Sequence, residues 1–158
     1  MNPPEPGCDI CVLLQDDDSG DEVILTTPWW RLVLASEQSY LGRAYLTARR
    51  HVASLSELAL AEWINLQDMI CRYESLVQRV YGATNFNWGC LLNEAFREPS
   101  PKPHVHWHVR PRYSLVPMVD GHAYPDPNFG SHYRRSQPRQ VDRATLARIA
   151  ELLRAQVP

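Results

Sequence analysis

The chain has 158 residues, 44% of them hydrophobic and 22% charged, with a formal net charge of −2. That length suits one domain with a real core, the composition is that of an ordinary soluble globular protein, and the near-balanced charge argues against nucleic acid or an anionic membrane as a general partner. No apolar run nears the roughly 18 residues of a membrane span, and Met1–Gly7 does not look like a signal peptide; the cytoplasm is the expected setting.

After a proline-rich lead-in comes Cys8-Asp9-Ile10-Cys11. Four cysteines are too few for a disulfide scaffold, so this pair is read by spacing. Cys-x-x-Cys lets two sulfurs face one ion, as in structural zinc sites. A redox pair is the alternative, but it usually follows the strand of a βαβ unit, and nothing precedes Cys8 that could be one. Chance pairing is the third reading, and zinc is preferred. It needs two more ligands, which histidines must supply. Val12–Leu14 continues a short helical turn, and residues 16–21 are an acidic, solvated loop without the ligand spacing of a calcium site.

Strands are expected over Glu22–Thr26, Trp29–Ala35 and Tyr40–Ala48, divided by Thr27-Pro28 and a polar turn. Trp29 and Trp30 suit core or interface packing better than the floor of a base pocket. His51 lies at the junction that follows and matters chiefly because the cysteine pair lacks two ligands. Ser54-Leu55-Ser56-Glu57 reads as a capping box. A long helix should run from it to about Tyr81, with Leu58, Trp63, Leu66, Met69, Ile70, Tyr73 and Val77 at spacings of three and four. Gly82 is a stop signal, and Cys71 is expected to be a buried thiol. Thr84–Asn93 reads as a strand with Phe86, Trp88, Cys90 and Leu92 on one face. Residues 97–103 hold three prolines and should be an extended loop.

Next comes His104-Val105-His106-Trp107-His108-Val109-Arg110-Pro111. The two-residue period of a strand puts three imidazoles on one face, with Cα atoms roughly 6.5–7 Å apart, and Val105, Trp107 and Val109 on the other. Pro111 should end the strand or lie at its edge. Strict alternation against an apolar counter-face argues against scattered surface histidines. Two readings remain: a metal face, or phosphoryl chemistry with one imidazole as nucleophile and another supplying a proton or charge. Beyond Arg112 the chain turns at Asp120-Gly121 and Pro125–Gly130. It carries Arg134, Arg135 and Arg139, expected to be solvated rather than bound to phosphate. A short helix follows over Asp142–Gln156, capped by Asp142. His122 and His132 receive no role. The elements add up to an α+β fold: about five antiparallel strands, one long helix packed on them and a short C-terminal helix.

Over about residues 8–113 these pieces resemble the histidine triad family. The resemblance rests on the N-terminal Cys-x-x-Cys, the basic pair before His51, the long helix, Asn93, and His104, His106 and His108 followed by Pro111. It implies a catalytic core over 1–113, with 114–158 as an extension of the same domain. It also implies hydrolase or transferase chemistry at the α-phosphorus of a nucleoside phosphoramidate or dinucleoside polyphosphate. His106 would attack the phosphorus and form a nucleotidyl-histidine, His108 would contact the phosphate, and Asn93 would hold the nucleotide. Family members with the cysteine pair bind zinc, so Cys8, Cys11, His51 and His104 become the four ligands of a structural site. The implied partners are a nucleotide-like small molecule and a second copy of the chain, paired through joined sheets. One departure stands out. Pro99 and Pro101 occupy places where the family commonly has Gly and then Ser or Thr, and proline has neither N–H nor hydroxyl. Ser100, Lys102 or Arg110 would then have to serve the phosphate. The rival readings are a nucleotide-binding module without turnover, and a hydrolase in which all three triad histidines hold a catalytic metal.

Overall fold

The computed structural model describes residues 4–15, 20, 22–133 and 138–157. The acidic loop at 16–19 and 21, and Arg134 and Arg135, lie outside them. Among the described residues, five strands form one antiparallel sheet in the order β1 (Val23–Thr26), β2 (Trp30–Leu34), β3 (Ala44–Ala48), β5 (His106–Arg112), β4 (Asn85–Gly89). Three helices accompany it: α1 (Asp9–Leu13), α2 (Leu60–Tyr81) and α3 (Arg143–Arg154). The expected α+β architecture is what the structure has.

Cross-strand partners share a face of a sheet, so the register assigns the two faces. Leu32, Leu46 and Trp107 lie in one row, and Leu34, Ala44, Val109 and Trp88 in the next. This apolar face packs on the buried stripe of α2 (Leu66, Met69, Tyr73, Leu76, Val77) and on Ile149, Ala150 and Leu153 of α3. Each fully buried side chain of this kind contributes about 1.5–3 kcal/mol. The other face carries Thr47 opposite His106, Tyr45 opposite His108 and Asn87 opposite Arg110. The apolar face holds the fold together, and the polar face is left for chemistry.

Several elements differ in extent from the pattern-based expectation. The Ser54 hydroxyl accepts from Ser56 N–H and caps only a 3-10 turn, Leu55–Glu57. Leu58 is extended, and α2 begins at Leu60, where the Glu62 carboxylate reaches back to the Ala59 N–H at 2.7 Å. The reciprocal box expected at Ser54–Glu57 does not form: the Glu57 N–H donates to the Ser54 carbonyl, and the Glu57 carboxylate accepts from the Ala53 N–H at 3.4 Å. Cys71 is exposed rather than buried. It lies two positions from both Met69 and Tyr73, about 200° around the helix from each. The strand expected over Tyr40–Ala48 starts at Ala44, because Gly42 turns the chain with φ +79°. A Cβ at Gly42 would sit 3.3 Å from Val77, so glycine serves there in both conformation and space. The strand expected to Asn93 ends at Gly89; Leu92 is left-handed, φ 57°, and Asn93 opens a 3-10 turn. Cys90 is half-buried against the apolar core.

Pro111 does not end its strand, which runs to Arg112. The Arg112 carbonyl accepts from Thr84 N–H on the β4 side. Backbone groups alternate sides along a strand, so the proline nitrogen points toward β3. The β3 ladder has already ended at Ala44–Val109, and no donor is missed there.

The segment after β5 ends in α3, which packs against α2 and β1. A small hairpin, β6 (Met118–Val119) and β7 (His122–Ala123), turns through Asp120-Gly121. Arg139 is engaged structurally: it lies over the Tyr124 ring and donates to the Ala123 carbonyl. No helix among the described residues is long and apolar enough to cross a membrane.

Candidate active site and metal centre

The N-terminal end of the triad segment meets the cysteine pair. Cys8 caps α1, and its Sγ accepts the Cys11 N–H at 3.4 Å. His104 Nδ1 lies 3.5 Å from Cys8 Sγ and 3.4 Å from Cys11 Sγ; His51 Nδ1 lies 3.5 Å from Cys11 Sγ. Ligand atoms of all four residues fall within 4.8 Å of one another. Sulfur and imidazole ligands at ordinary zinc bond lengths on a tetrahedron stand about 3.5 Å apart, so the donor set fits such an ion. The His104 Nε2 atom is 2.7 Å from the Ala48 carbonyl, which can only accept. The proton therefore sits on Nε2, and Nδ1 presents its lone pair to the sulfurs, the outer bond that fixes a metal-ligating imidazole. Burial pushes the His104 imidazole down to about 4, which keeps it neutral at pH 7. Burial, only partly opposed by the Cys11 N–H, pushes the Cys8 thiol up to about 11; a cation is what would favour its thiolate.

His104 precedes the strand proper, which starts at His106, although Val105 still bonds to both Ala48 and Val52. Its ring belongs to the cluster, 5.3 Å from the His51 ring. His106 and His108 lie beside each other instead in an edge arrangement, ring centroids 5.0 Å apart and planes at 60°, with Tyr45 edge-on to His108 at 5.1 Å. The alternating triad is thus divided into one imidazole at the cluster and two on the polar face. His106 Nδ1 is 2.8 Å from the His104 carbonyl. Since a carbonyl cannot donate, Nδ1 carries the proton and the neutral ring has its lone pair on Nε2.

His108 borders a cavity of about 390 Å³ with Tyr45, Arg43, Glu37, Arg110 and Tyr133. Arg43 is ion-paired with Glu37. Arg110 is buried, its guanidinium 4.2 Å from the centre of the Tyr133 ring. Asn93 is exposed, and its neighbour Glu94 lines the same cavity. Of the residues considered for phosphate, Lys102 is held by the Glu5 carboxylate at 2.6 Å, and Pro99, Ser100 and Pro101 are exposed. Arg110 alone of the three lines the cavity. Sequence reading missed Tyr45 and Tyr133. Tyr45 has the parity that puts it opposite His108, but only the β3–β5 register, a tertiary fact, shows it.

No protein-family model matches this sequence, and no curated protein does. Solved structures do. A zinc-bound histidine triad family protein from Mycobacterium smegmatis superposes with TM-score 0.62 at 18% identity, over 94% of this chain and 91% of that one. This chain has the histidine triad fold. A hypothetical histidine triad nucleotide-binding protein from Sulfolobus tokodaii gives 0.65 at 13%, over 95% and 91% of the two chains. The Plasmodium falciparum diadenosine triphosphate hydrolase gives 0.57 at 16%, over 87% and 76%. What is shared at these identities is the fold. Within it, this chain's own histidine triad supplies the cluster imidazole and the adjacent His106–His108 pair.

Proposed function

We propose that this protein is a nucleotide hydrolase or transferase that works at the α-phosphorus of a nucleoside phosphoramidate or dinucleoside polyphosphate, with His106 as nucleophile. The observation that carries the reading is the His106 Nδ1 contact with the His104 carbonyl. It leaves Nε2 with a lone pair, aims the ring, and needs no separate base. Nε2 forms a bond to phosphorus as the bond to the leaving group breaks, and the departing group carries away that electron pair and takes up a proton. Water then forms the new P–O bond and loses its proton. The P–N bond breaks and its electrons return to Nε2; with another acceptor in place of water the same step is transfer. One hard displacement becomes two easier ones. His108, 5.0 Å away ring to ring, contacts the phosphoryl oxygens, and Asn93 steadies the nucleotide. The diadenosine triphosphate hydrolase among the similar structures supports the substrate class.

Cys8, Cys11, His51 and His104 hold a structural zinc, as the zinc-bound similar structure supports. Such an ion would supply a structural crosslink between the N-terminal segment and the start of the triad strand. The reading in which all three triad histidines hold a catalytic metal conflicts with the geometry: one His104 nitrogen faces the sulfurs and the other the Ala48 carbonyl. The same proposal carries a homodimer, for which sedimentation should return twice the chain mass.

The test is steady-state turnover of adenosine phosphoramidate and of diadenosine triphosphate by wild type and His106→Ala. The variant should lose about 10⁴-fold or more in kcat. A wild type that binds nucleotide yet turns over neither substrate would favour the binding module, the reading that exposed Pro99 and Pro101 support.

A further inference from the structure

Burial alternates along β2: Trp30 and Leu32 are buried on the apolar face, and Arg31, half-buried, belongs to the polar one. The register fixes its place there. Arg31 pairs with Thr26 of β1 and with Thr47 of β3, and Thr47 pairs with His106 of β5. Thr26, Arg31, Thr47 and His106 thus form one row across four strands, and every member is polar. Strands in a sheet are spaced at about 4.8 Å, so Arg31 starts roughly 10 Å from His106 with Thr47 alone between them. Threonine is short, and the flexible stem of an arginine can lie across it and carry the guanidinium toward the His106 ring.

The charge of Arg31 is uncommitted. Arg43 pairs with Glu37, Lys102 with Glu5 and Arg112 with Asp126. Arg31 makes no hydrogen bond or ion pair among the described residues. The chemistry proposed for His106 needs such a group. A neutral imidazole brings no charge to the phosphorus, while the nonbridging phosphoryl oxygens stay anionic through both displacements. Pro99 and Pro101 lack the N–H and hydroxyl that could serve those oxygens from the preceding loop. A guanidinium presents a planar fork of N–H donors that matches two phosphoryl oxygens at once.

We propose that Arg31 is a catalytic residue, whose guanidinium crosses Thr47 to hold the nonbridging oxygens of the phosphoryl group that His106 attacks. The inference rests on the proposed α-phosphorus chemistry. It places the electrostatic support of the reacting group on β2, on the far side of Thr47 from the nucleophile, rather than in the proline-rich loop. Both candidate substrates carry the same α-phosphoryl group, so Arg31 serves both alike.

The experiment measures kcat and KM for adenosine phosphoramidate and diadenosine triphosphate in wild type, Arg31→Ala and Arg31→Lys, with melting temperature and zinc content as controls. In Arg31→Ala, kcat should fall by about 10²–10³-fold for both substrates, the loss typical of one donor to a developing oxyanion. Arg31→Lys, which keeps the charge and loses the fork, should fall between that variant and wild type. Guanidinium chloride at sub-denaturing concentration should restore part of the turnover of Arg31→Ala, which a folding defect would not allow. A kcat in Arg31→Ala within about threefold of wild type overturns the assignment while leaving the α-phosphorus chemistry intact. A loss confined to KM overturns it too, because it would put Arg31 on the nucleoside rather than on the reacting group. So does a loss relieved by neither lysine nor guanidinium. If wild type turns over neither substrate, that chemistry fails, and titration with adenosine monophosphate decides the contact. A Kd weakened about tenfold or more in Arg31→Ala supports it, and an unchanged Kd overturns it.

Discussion

Two anchors tie flanking chain to the triad strand, one at each end, and they work by different physics. At the start of the strand, His104 meets Cys8, Cys11 and His51, and the N-terminal segment is held through a cluster fit for a metal. At its far end, Arg112 holds the C-terminal extension by a buried ion pair with Asp126 and by carbonyl bonds. The first is conditional: burial opposes the Cys8 thiolate, so it needs a cation to be strong. The second is unconditional, because both charges and their hydrogen bonds are supplied by the chain. The lesson is one of placement. The conditional anchor holds His104, whose backbone carbonyl aims His106, and the unconditional one fixes the Asn128–Ser131 turn against the triad strand.

The difference can be broken most forcefully at the cluster. Chelation, or Cys8→Ser, Cys11→Ser or His51→Ala, should release zinc and lower stability by on the order of 5 kcal/mol. Metal analysis paired with thermal melting checks this, and full zinc in all three variants would sink the four-ligand assignment. Asp126→Ala should cost about 3–5 kcal/mol by stranding the Arg112 charge, and chelator should not change that cost. Urea melts of the double variant Cys11→Ser/Asp126→Ala should show additivity within about 0.5 kcal/mol if the anchors are independent.

A smaller effect separates these anchors from an ordinary surface-edge pair. The Arg50 guanidinium holds the Glu62 carboxyl below its ordinary range. A depressed carboxylate stabilises the fold above its unfolded value, near 4.5, and that contribution disappears as pH falls through the folded value below it. Glu62→Gln should therefore flatten the acid limb of the melting temperature below about pH 4.5. Because Arg50 is a third exposed, the change should be about 1 kcal/mol. Smallest of all, Cys71→Ser on the exposed side of α2 should shift stability by no more than about 0.5 kcal/mol.

The anchors also differ in how readable they are. Cys-x-x-Cys and His-x-His-x-His carry their geometry in their spacing, since one turn or one strand period fixes where neighbouring ligands point. The apolar row of the triad strand and the stripe of α2 were legible for the same reason. Arg112 and Asp126 are joined by a loop with no period, and nothing local says which carboxylate an arginine will meet. Alternation by itself does not show the split of the triad, because it assumes a regular strand through His104, whereas the cluster and the Ala48 carbonyl claim that ring; the family resemblance is what sets His104 apart with the cysteines and His51. Cys71 shows the limit of counting apolar residues without their angle around the helix. The end of β4 was misplaced because left-handed Leu92 breaks a pattern that side chains alone continue.

The central claim is that His106 becomes covalently bonded to phosphorus. The measurement that tests it most directly is rapid-quench intact mass of wild type and His106→Ala during turnover of adenosine phosphoramidate and diadenosine triphosphate. An acid-labile adenylyl adduct on wild type alone, formed and consumed at rates that account for turnover, is the predicted result. Turnover that survives in His106→Ala would contradict the account.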